Sequence, residues 1–542
     1  MKHVISKVCA FLMSLTLLVG LMPAIDAEAY DPDADLGTVT ISGVTANDKM
    51  KGYKIIDISY NSNNTVSYSW KNDDIANAIK EANNDVELSV EEFGAITDLE
   101  ERQKLLTGIP AILSGTADLA EVQAVNNTIQ IQWTNVQLGG YLIVPTSSSD
   151  VYQMMLAIVQ PILNDAGEYV TGDAQIAAKN TQVGIQKTAD DVTTGDSKVI
   201  TYTILADVPT YEDGAIDTTY IIGDKLSEGL TYVEDSLKVY GYTTSRDVVD
   251  PDNDGKALVG DAIEFGGLTS PNDAYTGLYI GQPGGTISGV SDPTFTITFN
   301  YNDNVDGKKN VKGLGIKTIR IEYKVQVNAN AVLGSAGNNN TATMEYTHYP
   351  FQSNNHKTVA DNETVYTYKL NINKYDQATE SLANKTMLAG ATFKVYLEVG
   401  ANDTTIDSER YPTSAYVTNA TESQLPKDKN YILVSTVTTG DGGLATLVNL
   451  DAGKYYIVET VAPNGYTLSG TATSIEITGA TTDAAYDSTN DLYKVEIPNS
   501  KGFTLPQTGG SGTVVFTIVG ISLMLAAVVV FFVLRRKETH KK

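Results

Sequence analysis

The chain has 542 residues, with 38 Lys+Arg against 65 Asp+Glu, a formal net charge of −27, 42% hydrophobic residues and one cysteine. A nucleic-acid binder needs a cationic face to release counterions, so this balance excludes that class, and the hydrophobic fraction excludes wholesale disorder. At about 150 residues per domain, the length corresponds to three or four domains. Lys2, His3 and Lys7 introduce an apolar run over 8–22 that closes on Ala27-Glu28-Ala29. A basic start, a short apolar core and small residues at −3 and −1 predict a secretory signal peptide over 1–29, with Tyr30 as the new N-terminus. The only cysteine, Cys9, leaves with it, so the exported chain forms no disulfide and draws its stability from elsewhere. His3 and His540 are terminal, which leaves His348 and His356 for any histidine-based chemistry.

From residue 30 onward β-branched and aromatic residues alternate with polar ones, punctuated by Gly, Asn and Asp. Runs such as 199–204, 294–300 and 318–327 have the period of half-buried strands, and their spacing predicts β-sandwiches. The fold class is therefore mainly β: three tandem immunoglobulin-like β-sandwich domains, the first with helical insertions. The first domain is placed at 30–179, with helices over 73–83, 97–107 and 111–124 and with Asp73 and Thr97 as caps. A middle domain follows at 180–366 and a last one at 367–501. Within the middle domain, Asp250-Pro251-Asp252-Asn253-Asp254-Gly255 with Asp261 fits the spacing of a calcium loop. No helices are predicted to flank it, and Pro251 and the terminal Asp are atypical, so an acidic turn-forming insertion is expected, with no metal and no cofactor. The run Gly281 to Gly289 lacks a lysine and a helix for phosphate binding.

The tail, 502–542, holds Leu505-Pro506-Gln507-Thr508-Gly509, an almost unbroken apolar run over 514–534, and then Arg535-Arg536-Lys537. The run is long enough to span a hydrocarbon core, and the basic residues hold the cytoplasmic side. Pentapeptide, span and basic tail in this order resemble the sorting signal of Gram-positive surface proteins. The resemblance implies that a membrane transpeptidase, sortase, cuts between Thr508 and Gly509, carries the threonine acyl group as a thioester and passes it to an amine. The helix would then hold the chain in the membrane only transiently. Losing 1–29 changes nothing in the charge, whereas losing 509–542 removes a net +4 and leaves −31. Such a surface stays soluble and resists lateral clumping.

Residues 455–466, Tyr-Tyr-Ile-Val-Glu-Thr-Val-Ala-Pro-Asn-Gly-Tyr, resemble the E-box of pilin and collagen-adhesin B-type domains, which are prealbumin-like sandwiches. Ile372-Asn373-Lys374, Leu388 to Tyr396 and Val495-Glu496-Ile497-Pro498-Asn499 match opening and closing strands of the same family. The resemblance implies an intramolecular isopeptide bond between Lys374 and Asn499, assisted by Glu459. The chemistry agrees: burial favours the neutral, nucleophilic amine and a protonated carboxyl that can shuttle the proton as ammonia leaves. Ile185-Gln186-Lys187-Thr188, Gly223-Asp224 and Asn338-Asn339-Asn340-Thr341-Ala342 resemble the middle domain of pilin backbone subunits. This implies Lys187 as nucleophile, Asp224 as catalytic acid and Asn340 as amide donor. In the first domain the nearest E-box-like stretch is Gly140 to Pro145, and aligning Tyr141 with Tyr455 puts Pro145 where Glu459 stands. A proline shuttles no proton, so this domain is expected to lack the bond and to be the softest of the three.

Pilin backbone subunits also carry an acceptor lysine at the end of the first domain, in a motif of Trp, two spaced Val and Tyr-Pro-Lys, usually followed by Asn. Gln175-Ile176-Ala177-Ala178-Lys179-Asn180 is the matching stretch, eight residues before Lys187; Ile176 replaces a Val, Ala177-Ala178 replaces Tyr-Pro and Val170 stands at the Trp. The resemblance implies polymerisation of Thr508 onto Lys179 of the next subunit, giving a sortase-assembled, peptidoglycan-anchored pilus on the cell surface. Partners would be sortase, identical subunits, peptidoglycan, tip and base pilins and a host receptor. The alternative is a monomeric wall-anchored adhesin of the same modules. No nucleophile–His–acid arrangement is visible, so the chain is expected to be a sortase substrate and not an enzyme.

Overall fold

The computed structural model describes residues 30–538 apart from 62–64, 125–129, 246–262, 265–274, 281–285, 303–309, 400–415, 419–421, 503–510 and positions 166, 197, 428 and 481. The signal segment, the acidic 250–261 run, the first part of the Gly281 to Gly289 run and the sorting pentapeptide thus lie outside the described residues. Two compact units are formed, one by residues up to Val332 with Ala336–Tyr366, the other by Leu333–Ser335 and the chain from Thr367.

The first unit opens with strands β1 (Gly37–Ser42), β2 (Lys49–Tyr60) and β3 (Val66–Trp70). Four helices follow, α1 (Asp73–Ala82), α2 (Val90–Ala95), α3 (Leu99–Leu106) and α4 (Ile109–Ile112). Then come β4 (Leu119–Gln123), β5 (Gln130–Val136), β6 (Gly139–Ser147), β7 (Val151–Tyr152), β8 (Met155–Val159), β9 (Pro161–Leu163), β10 (Tyr169–Thr171), β11 (Ala174–Ala177) and β12 (Asn180–Thr181). One sheet runs β11–β1–β5 and the other β3–β2–β6–β8, with β4 also on β2. Val39 and Ile41 of β1, Ile131 and Trp133 of β5, and Ile55, Leu142 and Val144 of the other sheet share one core.

The helices depart from the sequence expectation in four ways. The cap of α1 is Asn72, whose side chain accepts from the Ile75 amide at 3.0 Å, so Asp73 is already helical. The cap of α3 is Asp98, not Thr97, accepting from Glu101 N at 3.2 Å. The run 111–124 is not a helix: α4 ends at Ile112, Gly115 turns the chain at φ 83°, and β4 follows. Only glycine adopts that dihedral freely, so the helix cannot continue through it. Helix α2, closed by a capping box of Ser89 and Glu92, was masked by the strand-like alternation of Val86 to Val90.

The middle sandwich contains β13 (Ile185–Ala189), β14 (Val199–Asp207), β15 (Tyr220–Leu226), β16 (Leu230–Tyr232), β17 (Lys238–Tyr242), β18 (Ile263–Glu264), β19 (Tyr275–Ile280), β20 (Phe295–Phe299), β21 (Thr318–Val327), β22 (Asn338–Thr347) and β23 (His356–Val365). Its sheets run β13–β14–β21–β17–β18, with β16 on β21, and β19–β20–β15–β22–β23. The period-2 alternation turns Ile200, Tyr202 and Ile204 of β14 and Ile319, Ile321, Tyr323 and Val325 of β21 into a second core. Tyr349 and Phe351, beyond β22, insert instead into the first core, and Gln352 Nε2 donates to the Pro110 carbonyl at 3.1 Å.

The second unit contains β24 (Tyr368–Asp376), β25 (Thr392–Val399), β26 (Tyr416–Thr418), β27 (Asn430–Thr438), β28 (Leu444–Leu450), β29 (Gly453–Val461), β30 (Thr473–Ile477), β31 (Tyr486–Asp487) and β32 (Leu492–Asn499). Sheet β28–β24–β32–β31 faces sheet β26–β27–β25–β29–β30, and the first and last strands, β24 and β32, are parallel neighbours. Helix α5 (Ser511–Glu538) follows the anchor motif; its Val514–Arg536 stretch, of mean hydropathy 2.8, is long and apolar enough to cross a membrane.

The first and last sandwiches share one core topology. Sheet β11–β1–β5 repeats β32–β24–β28, and β3–β2–β6–β8 repeats β27–β25–β29–β30. Val39 pairs with Trp133 as Leu370 pairs with Leu447, and Ile41 with Ile176 as Ile372 with Val495. Asn135 and Asn449 hold equivalent left-handed bends, at φ 58° and 54°, and six residues on Tyr141 and Tyr455 each bond back to the carbonyl four residues earlier, of Gln137 and Asp451. Asparagine is among the few residues that tolerate this bend.

Candidate functional site

In the last sandwich the inward face of β24 carries Lys374 and the end of β32 carries Asn499, two residues beyond Lys374's parallel partner Ile497. Glu459 arrives from β29 in the facing sheet, opposite Phe393. The three side chains meet in the interior, Lys374 being 0% and Glu459 2% exposed. Lys374 Nζ lies 2.7 Å from Asn499 Oδ1 and 3.0 Å from Glu459 Oε1, and Asn499 Nδ2 donates to the same Oε1 at 2.9 Å. The amide of Ser469 donates to Glu459 Oε2 at 2.8 Å, so the carboxyl is fixed at both oxygens. Burial pulls the lysine below its ordinary range even against the attraction of Glu459.

The middle sandwich reaches a similar constellation by another route. Lys187 projects from β13 in one sheet, whereas Asp224 on β15 and Asn340 on β22 lie on neighbouring strands of the other. Leu226 pairs with Asn340, which makes Asp224 its diagonal neighbour on the same face. Lys187 bonds Asp224 directly and lies 2.5 Å from the Tyr323 hydroxyl, which also accepts from Asn340 Nδ2 at 2.7 Å. Burial pushes Asp224 up and Lys187 down, so both favour their neutral forms. Among the described residues, Asp224 Oδ1 and Asn340 Oδ1 are buried without a hydrogen-bond partner. Of the three consecutive asparagines, Asn339 is exposed, and Asn338 is taken up by both backbone groups of Val332; Asn340 alone reaches this cluster.

Sequence reasoning missed Tyr323 and Tyr202. The Lys187 amine sits 4.7 Å from the Tyr202 ring centroid and 5.0 Å from that of Tyr323. Their only signal was inward phase on two alternating strands, which the neighbouring isoleucines share.

The shared register locates the same three positions in the first sandwich. Gly43 stands at the place of Lys374, Pro145 at that of Glu459 and Asn180 at that of Asn499. Asn180 still sends its amide to a carboxylate, Asp150 Oδ2, at 2.8 Å, but among the described residues no amine is paired with them. Lys179, one residue earlier, is exposed in the link between β11 and β12, with its carbonyl held by Gln153 N at 2.9 Å. Among the described residues no cluster of three or more His, Cys, Asp or Glu is placed to hold a metal.

Residues 368–492 match the family model of a prealbumin-like fold domain, and residues 497–540 that of the LPXTG cell wall anchor motif. Over 465 residues the chain is 24% identical to the trypsin-resistant surface T6 protein of Streptococcus pyogenes serotype M6, covering 70% of this chain and 73% of that protein. Over 438 residues it is 24% identical to the fimbrial subunit type 1 of Actinomyces viscosus, covering 75% and 74%. These matches support a Gram-positive LPXTG-anchored pilin. The solved T6 backbone pilin of Streptococcus pyogenes, at 21% identity and a TM-score of 0.54 over 83% of this pilin and 81% of that chain, has the same fold. As an LPXTG-anchored pilin it belongs to a cell-wall-anchored surface pilus, and α5 fits transient retention in the membrane.

Proposed function

We propose that this pilin is the structural backbone subunit of a sortase-assembled pilus, polymerised by transfer of the Thr508 acyl group onto Lys179 of the next subunit. Intramolecular bonds from Lys374 to Asn499 and from Lys187 to Asn340 stabilise each subunit. The observation that carries this reading is the meeting of amine, amide and carboxyl in two dry interiors of a chain without disulfides. In each, the neutral lysine adds to the asparagine Cγ and the buried acid, Glu459 or Asp224, protonates the departing nitrogen. One C–N bond forms, one breaks and one ammonia leaves. The reaction turns over once and is self-modification, not enzymatic activity.

Intact mass of the exported chain tests the internal bonds. Each removes one ammonia, about 17 Da by stoichiometry, so the expected deficit is about 34 Da; a chain at its unmodified mass would sink both. For polymerisation, Lys179→Ala should abolish high-mass ladders in wall extracts while the monomer stays anchored. Ladders that survive would move the acceptor elsewhere, and a wild-type extract without ladders would leave a monomeric wall-anchored adhesin.

A further inference from the structure

Lys179 is exposed, yet the backbone that carries it is tied down over three consecutive residues by other segments of the first sandwich. The Ala178 amide donates to the Ser42 carbonyl at 2.8 Å, and the Gln153 amide to the Lys179 carbonyl at 2.9 Å. Asn180 then pairs with Tyr152 and Thr181 with Val151, so β12 lies antiparallel on β7.

The tie at Asn180 is also a side-chain lock. Asn180 Nδ2 donates to Asp150 Oδ2 at 2.8 Å and reaches the Gly43 carbonyl at 3.4 Å. Asp150 is 3% exposed and is itself held: Thr45 Oγ1 donates to the same Oδ2 at 2.6 Å, and the Asp150 amide to Ser148 Oγ at 2.8 Å. The network continues through Asp48 Oδ2, which accepts from the Tyr152 hydroxyl and from the Thr45 amide at 3.0 Å. A hydrogen bond to a buried carboxylate is stronger than one between neutral groups, and losing the donor leaves that carboxylate short of a partner. In the last sandwich Asn499 meets Lys374 at the place where Asn180 meets Gly43. A lysine at 43 is disfavoured, because φ is 74° and a Cβ would lie 3.2 Å from the Ala178 carbonyl.

We propose that Asp150, acting through Asn180, is the positioning residue of the acceptor: a reversible hydrogen-bonded lock that seats the Lys179 backbone where the last sandwich sets a lysine against its asparagine. This rests on the reading of Lys179 as the acceptor. Transfer requires the amine to reach an acyl group carried by another protein, and a backbone already in place spares that encounter the entropy of ordering it. With the lock open, only the fraction of chains whose acceptor segment is seated reacts at each encounter. Asp150 touches neither the amine nor the acyl group, and its effect passes through the backbone from Asn180 to Lys179.

The test follows ladder growth by the full chain in a Gram-positive host with a polymerising sortase, alongside hydrogen exchange of the exported monomer. Asn180→Asp sets two carboxylates against each other. It should slow ladder growth by about tenfold, as the seated segment becomes a minor population. Exchange should speed up at the Ala178 and Gln153 amides while the core amides of β1 and β5 keep their protection. Combining Asn180→Asp with Asp150→Asn restores one donor and one acceptor with their places exchanged, and should recover most of the wild-type rate. Tyr141→Phe removes a hydroxyl bond elsewhere in the same sandwich and should leave ladder growth unchanged. Wild-type growth in Asn180→Asp, with Lys179→Ala inactive, would overturn the lock alone. A loss in Tyr141→Phe as large as in Asn180→Asp would overturn it too, by assigning the effect to general stability. Ladders surviving in Lys179→Ala would instead remove the acceptor reading itself.

Discussion

Lys187 meets two aromatic faces and a phenolic oxygen before it meets water. In a dry interior this favours a neutral amine held in place, because the Tyr323 hydroxyl ties the amine and the Asn340 amide to one atom. Tyr323→Phe removes that common partner at a cost of about 1–3 kcal/mol. The expected result is a slow middle-domain bond, seen by mass spectrometry as a long-lived species lacking only one ammonia. A full deficit at the earliest time point would show that the hydroxyl is dispensable. The named lysines, acids and asparagines were legible because each sat at a fixed offset from a strand signature. Tyr323 was not, since an inward tyrosine on an alternating strand reads as ordinary core.

Two further groups near the end of β22 and the start of β23 set a pH response. Burial of His348 lowers it to about 4 from its ordinary 6.5, so the folded state keeps it neutral. The unfolded chain binds that proton first, so its contribution is full above pH 6.5 and is lost as pH falls toward 4. Asp217, though burial pushes it up, is brought down to about 2 by hydrogen bonds from His356, the Asn354 amide, Thr219 and Thr347. Its contribution is full above 3.8 and is lost as pH falls through 2. Acid melting should therefore come in two stages, and His348→Gln should flatten the first. An unchanged slope between pH 6.5 and 4 would refute the role of His348.

At the scale of elements, the corner shared by the first and last sandwiches was partly visible. The E-box-like stretch Gly140 to Pro145 aligned Tyr141 with Tyr455 and put Pro145 at the acid's position, and the register pairs them the same way. The left-handed asparagines and the vacancy at Gly43 were not visible, because both depend on strand pairing across the sheet. The helices failed for a local reason: Asn72 and Asp98 stand one residue before or after equally good caps, and only the backbone bend chooses. Tyr141→Phe should cost about 1 kcal/mol and lower the first thermal transition. Tyr455→Phe should move its own transition less, given a covalent tie between β24 and β32. Equal shifts would argue that the last sandwich has no such tie.

At the scale of the whole molecule the chain is acidic, and on the proposed processing it would lose its lone cysteine with residues 1–29 and reach a charge of −31, which would keep such chains apart except at their joints. The position of Lys179 has a mechanical consequence. In a fibre joined from Thr508 to Lys179, tension enters at residue 179 and leaves at 508. Residues 30–178 hang beside that line as a side branch and carry none of it. With both bonds formed, the pull crosses from Lys187 to Asn340 and from Lys374 to Asn499 through single covalent links, so residues 188–339 and 375–498 are shielded. Only the stretches 180–186, 341–373 and 500–508 remain in series with the load. The first sandwich, with Gly43 and Pro145 where a lysine and an acid would be, goes unclamped in the one place where clamping would resist no force.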